Sequence, residues 1–299
     1  MTVLLFGASG YLGRAADEAL RGRDARVVRV SRTAVHDDSW VRHDLVRGGI
    51  DELAELLWAV RPSVVVNCTG LLDGTTADLV AANVTPTAAL VDAIARTVPS
   101  ARLVALGSAA EYGRVPHGLR VAEDAVPDPV SAYGITKLAS TLLVRDAVTA
   151  GRLDGVVLRI FNPIGADLPA GTVLGRAAQA MRVALRQGDD ITLGPLDAYR
   201  DFVDVTDVAD AIADAALATV APEPVLNVGS GRAVAVRDVV AMLASAAGFR
   251  GRVIESGPAP SRSNAVTWIA ADTTRAQRSL GWAPHQDLTT SVRAVWQHA

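Results

Sequence analysis

The stretch VLLFGASGYLG, residues 3–13, decides the fold of this chain. A short apolar run breaks directly into three spaced glycines, after which a helical pattern begins. Glycines at such a strand-to-helix turn permit a tight bend and let the backbone approach a pyrophosphate, which the N–H groups at the helix start can bind. The stretch therefore predicts a dinucleotide-binding turn. Its expected contacts are Gly7, Ser9, Gly10, Tyr11, Leu12 and Gly13.

Apolar runs alternate with helical patterns through the first 160 residues. The runs are continuous and rich in β-branched residues, which is typical of strands buried on both faces. They cover residues 3–6, 27–30, 64–66, 103–106 and 156–160. Helices are predicted near 11–20, 52–60, 76–98 and 137–148. This repetition implies right-handed crossovers and an α/β fold of the Rossmann type, a doubly wound parallel sheet.

The pattern loosens after Ile160, where loops rich in proline and glycine interrupt it. We expect residues 1–160 to form the dinucleotide-binding domain, with later segments returning to its sheet. Residues 161–299 are expected to form mainly a smaller, interleaved C-terminal domain that binds the substrate.

Composition argues against several other classes of protein. The chain has 299 residues, half of them hydrophobic, and a net charge of -3 from scattered charges, so neither a nucleic acid nor a membrane surface is an expected partner. The first apolar run is too short for a signal peptide, and no other stretch is judged long and uncharged enough to cross a bilayer. A single cysteine, Cys68, fits a reducing compartment. A cytoplasmic protein is expected, and no residue is assigned to a metal.

The end of the second strand bears on the choice of cofactor. An acidic residue there would bind the adenosine ribose and repel a 2′-phosphate. The sequence has Ser31-Arg32 instead, a small hydroxyl followed by a guanidinium, which suits a phosphate. NADP(H) is therefore favoured, and NAD(H) remains possible.

Tyr133 and Lys137 are the predicted centre of catalysis. They are four residues apart, so a helix places them on one face. A tyrosine has an ordinary pKa of about 10, and a nearby ammonium favours its phenolate and brings it into working range. Ser108, at the end of another apolar run, would donate a hydrogen bond to the substrate oxygen. Lys137 could also bind the nicotinamide ribose.

Two of the predicted helices are apolar nearly all round. They cover residues 79–95 and 137–148, and such helices are buried on a second side. A loop or a second domain could bury them. A homodimer that packs them into a four-helix bundle explains the pattern equally well, and we favour it.

From end to end, the chain resembles an extended short-chain dehydrogenase/reductase of the nucleotide-sugar epimerase, dehydratase and 4-ketoreductase family. Besides the glycine turn and 133–137, the matching segments are GSAAEYG at 107–113, RIFNPIG at 159–165, RDFVDV at 200–205, LNVGSG at 226–231 and LGWAP at 280–284. The segment NCTG at 67–70 departs from the pattern. The resemblance implies that Asp44, with Leu45, lies near the adenine, although Asp44 could instead be a loop cap. It also implies a nucleotide-sugar substrate whose phosphates are bound by Asn162, Arg200 and Arg262.

The residues after Ser108 narrow the reaction that the resemblance implies. The 4,6-dehydratases that the chain resembles carry acidic residues in the next two positions, where this chain has Ala109 and Ala110. Alanine can neither protonate a leaving hydroxyl nor remove a proton, so dehydration is not expected. Glu111 is one position further along and is expected to point elsewhere as a structural residue. His117, in a loop before the catalytic helix, could reach the pocket, but a solvated histidine is favoured.

Three functional hypotheses remain open. The favoured one is an NADPH-dependent reductase of a nucleotide-linked 4-keto-6-deoxy sugar in deoxysugar biosynthesis, because Ser31-Arg32 suits NADPH. The second is a nucleotide-sugar 4-epimerase with tightly bound NAD. The third is a non-catalytic cofactor-binding sensor on the same fold, which would be expected to lack Tyr133 or Lys137, yet both are present.

Overall fold

A parallel seven-stranded sheet lies at the centre of the protein. The computed structural model describes residues 1–33, 37, 39–257 and 266–298. The strands in these residues are β1 (Thr2–Phe6), β2 (Arg26–Ser31), β3 (Trp40–Arg42), β4 (Val64–Asn67), β5 (Arg102–Ser108), β6 (Asp154–Ile160), β7 (Asn162–Ile164), β8 (Ile191–Leu193), β9 (Tyr199–Asp204), β10 (Val225–Val228), β11 (Ala233–Ala235) and β12 (Val253–Glu255). The central sheet has the order β3-β2-β1-β4-β5-β6-β10, and all of its pairs are parallel.

Helices cover both faces of this sheet. The α-helices of the described residues are α1 (Tyr11–Arg21), α2 (Ile50–Val60), α3 (Thr76–Leu79), α4 (Thr85–Thr97), α5 (Ala132–Thr149), α6 (Val173–Gln187), α7 (Val205–Leu217), α8 (Val236–Ala247), α9 (Thr274–Leu280) and α10 (Leu288–Gln297). Leu5 of β1 packs in one apolar cluster with Leu20 of α1 and Ile212 of α7. Its neighbour Leu4 lies in a second cluster with Leu57 of α2. Two buried faces explain why the strand sequences are continuously apolar, and the predicted fold class is confirmed.

A smaller lobe is built around two short sheets. β9 lies between β11 and β7 in one of them, and β8 pairs with β12 in the other. Met181 of α6, Leu243 of α8 and Val292 of α10 belong to the shared core of this lobe. Between its segments the chain returns to the central sheet, where β10 pairs with β6 and Val225 lies opposite Val157. The expected interleaving is confirmed, while the boundary at residue 160 stays a prediction.

The single helix predicted over residues 76–98 is divided in the structure. α3 ends at Leu79, a π-helical turn covers Val80–Val84, and α4 begins at Thr85. Pro86 has no N–H to donate to the carbonyl four residues earlier, which explains why the hydrogen-bond pattern changes here. The turn leaves the carbonyl of Asn83 to accept hydrogen bonds from the hydroxyls of Thr87 and Ser140.

The same stretch corrects one expectation about membranes. By length and composition alone, the helical run Thr76–Thr97 would be long and apolar enough to cross a bilayer. The expectation that no stretch passes this test was therefore wrong. In the fold, Leu90, Val91 and Ile94 of this run are buried in the core beside the central sheet, which accounts for its apolar composition.

Candidate active site

The carboxyl-terminal edge of the central sheet opens into a cavity of about 490 Å³. The strand order reverses between β1 and β4, so the loops after these two strands diverge and leave a crevice. The cavity runs from Gly10, past Cys68 and Ser108, to Asn162 and Arg200 in the smaller lobe. It therefore connects the predicted cofactor turn, the predicted catalytic residues and two of the predicted substrate residues.

The glycine turn has the geometry that an anion-binding helix start requires. Gly7 has a φ of +74°, and a Cβ on Gly13 would stand 2.0 Å from the carbonyl oxygen of Gly7. Gly10 caps α1 without any side-chain hydrogen bond to the first N–H groups, so those groups can bind a pyrophosphate. Gly10, Tyr11 and Leu12 line the cavity. Gly7 and the buried Gly13 do not line the cavity but allow the tight turn of the backbone. Ser9 lies in the same turn and is exposed.

A second cavity, of about 390 Å³, lies beyond β2 and β3. Among the predicted residues, Arg32 and Asp44 line it, whereas Ser31 and Leu45 are buried in the protein. One oxygen of the Asp44 carboxylate accepts the N–H groups of residues 46 and 47, so Asp44 caps its own loop as well as facing the cavity. Sequence reasoning missed two further guanidiniums here, those of Arg42 and Arg47.

Ser108, Tyr133 and Lys137 meet at the wall of the main cavity. Ser108 ends β5, while the other two lie one turn apart on α5. Gly134 makes this approach possible, because a Cβ there would stand 2.5 Å from the carbonyl oxygen of Ala110, just after Ser108. The start of α5 can therefore pack directly on the turn that carries the serine. The structure brings the three predicted catalytic residues together, and their roles stay predictions.

Lys137 is buried, with 7% of its surface exposed. Burial lowers the pKa of its ammonium, and the neighbouring Glu111 carboxylate and Cys68 oppose that shift. A cation with little solvent around it acts strongly on a neighbouring phenol. This environment fits the role predicted for Lys137.

Asn83 is a cavity residue that sequence reasoning did not single out. It lies in the π-helical turn, and its side chain accepts from the N–H of Leu71 and donates to the carbonyl of Leu71 and to the hydroxyl of Thr136. These bonds hold the loop after β4 against α5. Pro86, shortly after Asn83, was the one sequence signal of an irregular turn.

Glu111 is fully buried and turns away from the cavity. It points away from the cavity, as expected, although it lies in a 3-10 turn, Ala109–Glu111, and not at a strand end. Its carboxylate accepts the N–H of Ser108 at 2.7 Å and the Nε–H of Arg159 at 2.8 Å. The carboxylate is thus placed behind the serine.

His117 lies on the surface, as favoured from the sequence. Its ring is 4.3 Å from that of Trp268 and 5.3 Å from that of Tyr199, measured between centroids. It is exposed and does not line the main cavity.

Two of the three predicted phosphate-binding residues, Asn162 and Arg200, lie where the cavity meets the smaller lobe. The Asn162 side chain donates to the carbonyl of Asp201 at 2.9 Å. Burial lowers the pKa of Arg200 to about 10, with Asp197 opposing, so the guanidinium stays charged at neutral pH. Arg176 of α6 adds a further cation to the lining. Arg262 lies outside the described residues. In the part of the chain that is described, no group of three or more His, Cys, Asp or Glu could hold a metal ion.

The predicted cofactor turn, the predicted catalytic residues and the fold agree with one family. The sequence model of the NAD dependent epimerase/dehydratase family matches residues 3–229. The chain belongs to this family, within the extended short-chain dehydrogenases/reductases. It is thus an enzyme of a class that uses a nicotinamide dinucleotide. Gly10, Tyr11 and Leu12, which the sequence predicts to bind that cofactor, line the main cavity.

Similar proteins cover almost the whole chain. A dTDP-6-deoxy-L-talose 4-dehydrogenase (NAD(P)(+)) of Kitasatospora kifunensis is 39% identical over 301 residues, which cover 98% of this chain and 94% of that protein. A UDP-glucose-4-epimerase structure from Stenotrophomonas maltophila, with bound NAD and formylated UDP-arabinopyranose, is 27% identical with a TM-score of 0.86, over 99% and 97% of the two chains. RMD from Pseudomonas aeruginosa, complexed with NADPH, is 25% identical with a TM-score of 0.81, over 99% and 98%.

Cys68 should resist alkylation despite lining the cavity. Burial raises the pKa of its thiol to about 12, partly opposed by Lys137. At pH 8 far less of this thiol is ionised than of an ordinary cysteine, and the thiolate is the reactive form. We expect iodoacetamide to label the folded protein at least about tenfold more slowly than the urea-unfolded protein, as followed by intact mass. Equal rates in the two states would contradict this pKa.

Proposed function

We propose that the protein is an NADPH-dependent reductase of a nucleotide-linked 4-keto-6-deoxy sugar. The observation that carries the proposal is the composition of one cavity. Its lining includes Ser108, Tyr133 and Lys137 together with the cations of the smaller lobe. It also includes Ala109 and Ala110, at the positions where the dehydratases that the chain resembles carry acidic residues. An uncharged wall next to the serine suits reduction of a ketone and offers no group for elimination of water.

The reaction needs one hydride and one proton. A nicotinamide dinucleotide, when bound, supplies the hydride to the carbonyl carbon. Ser108 donates a hydrogen bond to the carbonyl oxygen and orients it. The Tyr133 hydroxyl gives its proton to that oxygen as the C=O double bond becomes an alcohol, and the positive charge of Lys137 stabilises the phenolate that remains.

The wall around the reacting carbon is apolar. Five side chains that line the cavity also pack together in one apolar cluster, namely Ala109, Val130, Phe161, Val266 and Ile269. The methyl group of a 6-deoxy sugar loses no hydrogen bonds when it packs on such a wall. The hydroxymethyl group of an ordinary hexose would lose its hydrogen bonds to water there. This wall supports a 6-deoxy sugar as the substrate, as does the name of the Kitasatospora relative.

The far end of the cavity suits a nucleoside diphosphate. Arg176 and Arg200 both line it, together with Asn162. Guanidiniums bind phosphate oxygens through paired hydrogen bonds. We therefore assign the sugar to the part of the cavity near Ser108 and the diphosphate to the part near Arg200.

A 4-epimerase is the second candidate. Structural similarity to a UDP-glucose-4-epimerase with bound NAD favours it, and the same three residues could oxidise and reduce one carbon in turn. An epimerase would consume no net cofactor, so one assay separates the two activities.

Replacing Tyr133 with Phe should abolish turnover without unfolding the protein. The change removes only the hydroxyl that supplies the proton, so we expect kcat to fall by about 10² to 10⁴ while NADPH still binds. Turnover is followed by loss of NADPH absorbance with a nucleoside-diphosphate 4-keto-6-deoxyhexose, and binding by NADPH fluorescence. Wild-type protein that consumes no NADPH, but isomerises a nucleoside-diphosphate hexose, would replace the reductase with the epimerase.

The second cavity supports NADPH as the cofactor. Its lining carries three guanidiniums, those of Arg32, Arg42 and Arg47, and only two carboxylates, those of Asp44 and Glu52. A 2′-phosphate is attracted by such a site, which gives no comparable advantage to the free hydroxyl of NAD.

Removing two of these guanidiniums should affect NADPH far more than NADH. In Arg32→Ala/Arg42→Ala we expect KM for NADPH to rise at least about tenfold, from the loss of charge-assisted hydrogen bonds. Arg26→Ala is the matched control, because this exposed arginine begins β2 at the opposite end from Ser31. An equal rise in KM for NADPH and for NADH would show that these arginines do not bind the 2′-phosphate.

A homodimer through α4 and α5 is also part of the proposal. α5 exposes 56% of Ile135, 40% of Leu142 and 36% of Leu143, and Val80 beside it is 43% exposed. Ile135, Leu142 and Leu143 recur along one helix, and exposed apolar side chains repeated in this way are typical of an interface.

Charges on this surface should separate the subunits. We expect sedimentation equilibrium to give a dimer for the wild type and a monomer for Leu142→Glu/Leu143→Glu, because a buried, unpaired carboxylate is costly. Val220→Glu, at a site that is 77% exposed elsewhere, should leave the dimer intact. A monomeric wild type would rule the interface out.

A further inference from the structure

The serine at the end of β5 is held by a reciprocal pair of hydrogen bonds. The Glu111 carboxylate accepts the Ser108 N–H at 2.7 Å, and the Ser108 Oγ accepts the Ala110 N–H at 3.2 Å. Together they form a capping box around the 3-10 turn. Since Oγ accepts from the Ala110 N–H and donates to no protein group in a described hydrogen bond, the hydroxyl hydrogen of Ser108 remains available to donate to a group in the cavity.

The carboxylate in this box is itself fixed by a cation. Arg159 Nε donates to the second oxygen of Glu111 at 2.8 Å, and the two side chains are 3% and 0% exposed. The Arg159 guanidinium also lies 4.6 Å from the centre of the Tyr112 ring. The Tyr112 hydroxyl in turn donates to Asn227 of β10 at 2.6 Å. A buried polar chain thus runs from the serine to the last strand of the central sheet.

Stability alone is a weak reason for two charges at this place. Removing a carboxylate and a guanidinium from water is costly, and apolar replacements of such a pair are often neutral or even stabilising. The pair does, however, fix the position and the donor direction of the group that must meet the substrate oxygen.

We infer that Glu111, locked by Arg159, is a positioning residue that holds the Ser108 hydroxyl as the hydrogen-bond donor to the substrate carbonyl. The inference rests on the proposed function, in which Ser108 contacts the reacting oxygen. Glu111 itself does not line the cavity, so it acts through Ser108 and not on the substrate.

Two double variants of equal shape test this inference. Glu111→Met/Arg159→Met removes both charges at once and leaves the Ser108 N–H without an acceptor. Glu111→Gln/Arg159→Gln also removes both charges, but the amide oxygen at position 111 can still accept that N–H, and methionine and glutamine have nearly the same length. The control is Arg102→Met/Asp154→Leu. It removes the ion pair between the first residues of β5 and β6, at the end of these strands that is remote from Ser108.

The glutamine pair should rescue what the methionine pair loses. We expect kcat of the methionine pair to fall at least about tenfold, as for a displaced transition-state donor, with KM for NADPH within about twofold of wild type. The glutamine pair should recover kcat to within about threefold of wild type. The control should melt at a lower temperature but keep kcat. Equal kcat in the methionine and glutamine pairs would overturn the inference.

Two further measurements keep the outcome clear. Amide hydrogen exchange should be faster over residues 108–111 in the methionine pair and near normal in the glutamine pair, with or without any substrate. Single Glu111→Gln leaves the buried Arg159 charge unpaired, so its melting temperature should fall below that of the glutamine pair. If the wild type reduces no keto sugar, the proposed function fails, and the variants are compared in isomerisation of a nucleoside-diphosphate hexose.

Discussion

Burial of both faces of a parallel sheet is the constraint on which the rest of this protein depends. The backbone groups of the central strands are paired along the ladders, and helices cover the side chains above and below. Polar side chains are then excluded from most of each strand. They can gather only where the strands end, and the ends of β1, β4, β5 and β6 all meet at one edge. The cavity lies at this edge, where the loops after β1 and β4 diverge and leave room for a ligand.

The charges at this edge are unusually enclosed. Lys137 and Arg159 are nearly buried, and Glu111, which is fully buried, interacts with both of them. Enclosed charges keep their interactions strong, because little water screens them. They also tolerate little error in position, which explains why close backbone contacts such as that of Gly134 with Ala110 accompany them. The strength of the electrostatic interactions at this site therefore depends directly on how closely the backbone packs.

The local part of the site could be predicted from the sequence, and the long-range part could not. The glycine turn and the Tyr133–Lys137 pair depend on spacing within one strand-to-helix turn or one helix, and such periodicities are visible in the chain. Partners that are distant in sequence carry no such signal. Arg42 contributes to the second cavity, Asn83 holds Leu71, and Arg159 meets Glu111 across 48 positions. The π-helical turn was not predicted for another reason. Its apolar sequence is equally suitable for an unbroken helix, and only Pro86 indicates the change.

The position of β10 links the two lobes during folding. This strand closes the central sheet beside β6, but residues 161–224, most of which belong to the smaller lobe, come between them in sequence. A nascent chain of about 160 residues would present the outer edge of β6 as a row of unpaired N–H and C=O groups, which is a template for pairing with other strands. The sheet is complete only after much of the smaller lobe has emerged. Because β10 completes the central sheet only after much of the smaller lobe in sequence, we expect the two lobes to fold together and neither to behave as a separately exchangeable module.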